Sequence, residues 1–143
     1  MKSFTSSDYG RIVVMHLGKG DRLLESVSSE CARLGVKNAI LLSAIGSLRR
    51  MSIHVIKSIT DDPENEYITV EAPLELGAAQ GLILDGVPHF HVVCSAPGGR
   101  NYAGHLEDGT EVQYLVELSL MEVKDINLTR KKDAFGIVYI GEK

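Results

Sequence analysis

From Val112 to Leu120 the apolar residues fall on every second position, at Val112, Tyr114, Val116, Leu118 and Leu120. Side chains of an extended strand alternate between its two faces, so this period describes a long strand with one face on a core and the other turned away from it. A chain that carries such a strand must build a sheet around it, and the remaining segments are read as its partners.

Before it, Ile12 to Leu17 is a largely apolar strand, broken by Gly18-Lys-Gly20 ahead of Asp21, whose short carboxylate suits a helix N-cap. Leu23, Leu24, Val27, Cys31 and Leu34 recur at helical spacing, which predicts a helix over 22–34 ended by Gly35. Ala39 to Ile45 is a continuous apolar run bounded by Gly46, as expected of a strand covered on both faces. Met51 to Val55 alternates, residues 61–65 form a polar turn, and Tyr67 to Glu71 is a short strand ending at Pro73. Leu74 to Leu84 fits either a bulged strand or a loop, because Gly77, Ala78, Ala79 and Gly81 interrupt it. Asp85-Gly86 reads as a tight hairpin turn, and Phe135 to Ile140 as a closing strand. One main helix among six to eight strands joined by hairpin-type turns predicts an α+β fold, a largely antiparallel and curled sheet. Without a linker, repeat or low-complexity stretch, residues 1–143 are expected to form one domain.

Three of the five histidines lie between Pro88 and His105. His89 and His91 are one residue apart, so on a strand they point the same way with α-carbons roughly 7 Å apart, a gap two imidazoles can close around one ion. The Gly98-Gly99 turn would let the chain double back and bring His105 beside them. From spacing alone two readings stand side by side, a three-histidine metal site or ordinary hydrogen-bonded histidines. An all-imidazole set suits zinc, whereas magnesium and calcium call for oxygen ligands. His16 and His54 are left out of the site.

Charge narrows the function classes. The net charge is −4 with a pI of about 5.7, and the bases are scattered, Arg49-Arg50 and Arg130-Lys131-Lys132 being the only runs. Phosphate neutralisation along DNA calls for clustered Lys and Arg, so any DNA affinity is expected to be weak and lost between roughly 50 and 200 mM salt. No stretch approaches the roughly 20 apolar residues of a membrane-spanning helix. The first ten residues lack a signal-peptide pattern, so the protein is expected in the cytoplasm. Cys31 and Cys94 fall inside helical and strand patterns and read as small buried apolar residues.

Ser43-Ala-Ile-Gly-Ser47 after a helix, then the His-x-His strand and Tyr102-Ala-Gly-His-Leu106, in that order, resemble the PPC (plant and prokaryote conserved) domain in its free-standing prokaryotic form. The likeness runs from about Arg11 to Ile140. Ala103 stands where the family usually has the first glycine of a Gly-Gly-His-Leu segment, a small-for-small change. The resemblance implies an antiparallel-rich α+β fold similar to that of acetolactate decarboxylase, a homotrimer, and a metal, usually zinc, on His89, His91 and His105. Plant members join the domain to AT-hooks that grip DNA, but this chain has no Arg-Gly-Arg-Pro hook. Three function classes follow: a metal-dependent enzyme acting on a small carbonyl or anionic substrate, a DNA-binding or regulatory module, and a trimeric scaffold with a structural metal.

Further residues are weighed beside the histidines. Arg100 and Tyr102, in the turn between the ligand strands, either hold an anionic group against the metal or form a solvated loop. Glu117, an acid on the polar face of the long strand, is either a general base or partner to a ligand imidazole, or a solvent-facing charge. Gly18-Lys-Gly20 lacks the spacing of a phosphate loop and is a tight turn.

Overall fold

The long alternating segment forms β6 (Glu111–Val123), and it lies between two partners in the sheet. The structure, a computed structural model, describes residues 1–60 and 62–143, so the first residue of the polar turn expected over 61–65 lies outside the described residues. The other elements are β1 (Tyr9–Gly18), α1 (Leu23–Leu34), β2 (Ala39–Ile56), β3 (Asn65–Leu84), β4 (Val87–Ala96), β5 (Arg100–Leu106), β7 (Leu128–Lys132) and β8 (Val138–Glu142). Six strands run in the order β1-β6-β2-β3-β4-β5, and every pairing is antiparallel. β5 also pairs back with β2, through Ile53 opposite Leu106 and His54 opposite His105, so β2, β3, β4 and β5 close into a ring. The hairpin β7-β8 forms a separate two-stranded sheet.

The α+β expectation holds, with four local differences. The two apolar runs on either side of Gly46 are one strand of 18 residues. Gly46 sits at φ 149° and a Cβ there would run into the backbone of Leu115 and Val116, so the glycine lets β2 press against β6 rather than ending it. Leu74 to Leu84 belongs to the 20-residue β3, and the chain passes Pro73 at a register shift between the pairs Leu48–Leu74 and Arg50–Glu71. A bulge of this kind is where a residue without an N–H is tolerated. Asp21 does not cap the helix. Its carboxylate accepts a hydrogen bond from the Gly18 amide at 2.8 Å, while Arg22 takes the N-cap position without a side-chain cap. The last strand begins only at Val138, because the Asp133 carboxylate accepts from the amides of Phe135 and Ile137, both at 2.9 Å, and turns that segment into a loop.

The core lies between α1 and the inner faces of the ring. Leu23, Val27 and Cys31 from the helix meet Leu48, Met51, Ile53, Leu76, Ile83, Phe90, Val92, Leu106 and Leu120 from the strands, all at most 1% exposed. Each such large side chain contributes about 1.5–3 kcal/mol relative to exposure. The fully buried Thr110 fastens the β5-β6 turn to β2: its hydroxyl accepts from the Ser52 amide at 3.0 Å and shares its proton between the carbonyls of Ser52 and Glu107, each at 3.2 Å. Among the described residues no helix is long and apolar enough to cross a membrane.

Candidate metal centre

With Phe90 and Val92 turned into the core, the alternation of β4 leaves His89 and His91 on the outer face of the ring. Pairing does the rest. His91 stands directly opposite His105 on β5, and His105 directly opposite His54 on β2, so three neighbouring strands set three imidazoles in a row with His89 beside them. Ring centroids are 4.5 Å apart for His89 and His105, 5.4 Å for His91 and His105, and 5.6 Å for His89 and His91.

Two glycines permit this closeness. Gly104 precedes His105, and a Cβ on it would sit 2.7 Å from the His54 carbonyl oxygen and 3.2 Å from Ile53 Cδ1, so only glycine lets β5 seat against β2. Gly81 on β3 lies opposite Phe90, and a Cβ there would run into the His89 carbonyl oxygen.

The donor set fits a metal ion. One ring nitrogen from each of His89, His91 and His105 lies within 4.8 Å of the others. Zinc–nitrogen bonds of about 2.0–2.1 Å place nitrogens on a common tetrahedral ion about 3.3 Å apart, so modest ring rotations would close the set. The protonation state also fits. Burial, then the Arg130 charge and the neighbouring imidazoles, push His89 down to about 4. His105 is lowered by burial and by His54, with Glu107 acting in the opposite direction. Neutral imidazole is the form that binds metal.

A second group shares His105: His54, His105 and Glu107 also bring one donor each within 4.8 Å. The Glu107 carboxylate hydrogen-bonds His54 Nδ1 and lies 4.0 Å from His105 Nε2. His54 stacks on His105 at 4.4 Å between centroids. Glu107 is fixed from behind by its own amide, which donates to the Ser52 carbonyl at 2.9 Å, and by Thr110. His105 and Glu107 border a groove of about 610 Å³ between α1 and the start of β4, lined also by Glu25, Ser28, Val87 and Pro88.

The structure brings His89, His91 and His105 together and leaves the other expected residues apart. Tyr102 packs against the core, and Arg100 shares its face of β5, opposite to that of His105. Glu117 lies opposite Ile45 on β2, nine residues from His54 or roughly 30 Å of strand, and 3.8 Å from the His16 ring. Sequence reasoning missed His54 and Glu107. Glu107 follows His105 by two positions and so shares its face, a signal open to the same parity argument that joined His89 to His91. His54 gave no such signal, because its place depends on β5 returning to β2.

The family model of the Plants and Prokaryotes Conserved (PCC) domain matches residues 4–124. Among solved structures, a plant- and prokaryote-conserved (PPC) protein of Pyrococcus horikoshii is 27% identical with a TM-score of 0.84, covering 100% of this chain and 99% of its own. A metal-containing protein of Archaeoglobus fulgidus is 23% identical with a TM-score of 0.83, covering 99% and 100%. A candidate DNA-binding protein of Bacteroides thetaiotaomicron is 13% identical with a TM-score of 0.78, covering 96% of each chain. None of the curated proteins searched matches this chain.

Proposed function

The chain belongs to the Plants and Prokaryotes Conserved domain family, and from that membership and the geometry of its histidines we propose that it is a metal-binding protein, with zinc held by His89, His91 and His105, acting on a small carbonyl or anionic substrate. The observation that carries this reading is the convergence of three imidazoles from one hairpin on an outward face beside a groove. The Archaeoglobus protein of the same fold, described as metal-containing, supports it. Zinc on three imidazoles supplies a Lewis acid with an open position, the feature that separates catalytic from structural sites. The protein supplies the surroundings: His54 and Glu107 wall one side, and the Glu107 carboxylate stands where it can orient His105 or accept a proton from a ligand in the groove.

DNA binding is the reading suggested by the Bacteroides protein, a likeness of fold alone. Arg49 and Arg50 do not support it, since they pair with Glu111 at 3.4 Å and Glu71 at 3.5 Å. We propose that it assembles as a homotrimer, as the family resemblance implies.

Elemental analysis of untagged protein prepared without added metal tests the centre. About one zinc per subunit is expected, and replacing any one of His89, His91 or His105 by Ala should remove most of it, since two remaining ligands hold an ion poorly. Full occupancy in the triple Ala variant refutes the assignment.

A further inference from the structure

Arg130, on the β7-β8 hairpin beyond the residues matched by the family model, reaches back to the histidine strand. Its guanidinium donates to the Leu82 carbonyl at 3.4 Å and to the Val87 carbonyl at 3.3 Å. Leu82 is the direct cross-strand partner of His89, and Val87, two residues before His89, lines the groove that His105 borders. Thus the cation sits at the mouth of the β3-β4 hairpin, next to the imidazoles.

Among the described residues no carboxylate lies within 4 Å of Arg130, whereas Arg11, Arg22, Arg33, Arg49 and Arg50 each pair with a glutamate, and Arg100, which also has no such pair, is exposed. Nearby acids are engaged elsewhere: Asp85 with Lys143 at 2.7 Å, Glu107 with His54. A partly buried guanidinium with two long bonds to neutral carbonyls is under-compensated, and its remaining donors form the planar fork that matches a carboxylate or phosphate. Its charge is felt by His89 and His105, and burial lowers its own pKa.

We propose that Arg130 is the anion anchor of the histidine site, binding the carboxylate or phosphate group of a small ligand whose other end faces His89, His91 and His105. The inference rests on the metal-site reading and narrows the substrate class to a compact oxyanion-bearing molecule, with charge supplied by a segment of chain outside the family-matched core.

Calorimetric titration of inorganic phosphate and, separately, of acetate tests this on cobalt-loaded and metal-free protein, in the wild type, Arg130→Gln and Arg130→Lys. Cobalt affinity is measured first by its visible absorption. At least one of the two anions should bind wild-type protein, Arg130→Gln should weaken that binding tenfold or more, and Arg130→Lys should weaken it two- to tenfold. Cobalt affinity should change less than twofold in both variants. Which anion binds more tightly tells a phosphate ligand from a carboxylate one. Unchanged anion affinity in Arg130→Gln, or no anion binding to either form, overturns the proposal. Should the wild type take up no cobalt, the metal reading fails by itself and the metal-free titrations decide on Arg130. Should Arg130→Gln not fold, the Arg130→Lys titration decides, with unchanged affinity counting against the anchor.

Discussion

Glu107 faces two imidazoles at once, bonded to His54 and 4.0 Å from His105. Carboxylates in that position fix the orientation of a ligand ring and raise its basicity, and their loss typically costs ten- to a hundredfold in metal affinity. Glu107→Gln is therefore expected to weaken zinc binding by about that factor in a chelator competition, while Glu117→Gln, at the distant His16 pair, leaves it unchanged. Equal affinities in Glu107→Gln and wild type would remove Glu107 from the site. The thiols contribute no competing ligand. Cys94 lies on the core face of the same strand as His91, and burial pushes it up to about 11, as it does Cys31. Both are thus neutral, apolar parts of the core, as the sequence pattern implied.

At the scale of the elements, the site depends on how tightly β5 lies against β2, and Gly104 sets that distance. Gly104→Ala should destabilise the fold by about 1–3 kcal/mol, the usual cost of forcing an extra carbon into a packed position, and should weaken metal binding by displacing His105. Gly77, where a Cβ would meet the Val93 carbonyl oxygen at an ordinary 3.8 Å, is the control, and Gly77→Ala should be neutral or slightly stabilising. Denaturant melts of the two variants decide, and similar midpoints would show that Gly104 does not set the β2–β5 distance. The same contact explains what the sequence made legible. Alternation in Val112 to Leu120 and helical spacing from Leu23 to Leu34 are local signals, and both elements stand where expected. The His-x-His pair and the returning His105 needed only one hairpin. Gly46 and Pro73 read as breaks because each usually is one, and the neighbours that turned them into bulges of long strands are far away in sequence. Phe135 and Ile137 looked like strand residues, yet Asp133 claims their amides. His54 meets His105 only through closure of the ring, which no local pattern records.

The whole molecule leaves one sheet face uncovered. Ile12, Met121 and Ile40 lie abreast on β1, β6 and β2, with Val14 in the next row of that face and Ile45 in the row beyond, beside His16 and Glu117. Val14 is 76% exposed, Ile12 56% and Ile45 51%. Apolar side chains concentrated beside the free edge of β1 are what an association between identical subunits covers. Light scattering at micromolar concentration is expected to give three times the 15.6 kDa chain mass, and Ile12→Glu with Val14→Glu should lower it. A monomer mass for the wild type would contradict the trimer. The ring closure also orders events in time. His89, His91 and His105 all belong to β4 and β5, neighbours along the chain, and a hairpin forms in roughly 1–10 μs. His54 joins them from β2, a contact spanning about fifty residues, and long-range closures of this kind make sheet proteins fold in milliseconds to seconds. The three imidazoles can therefore gather, and capture an ion, while the ring is still open, and the His54–Glu107 wall shuts behind it.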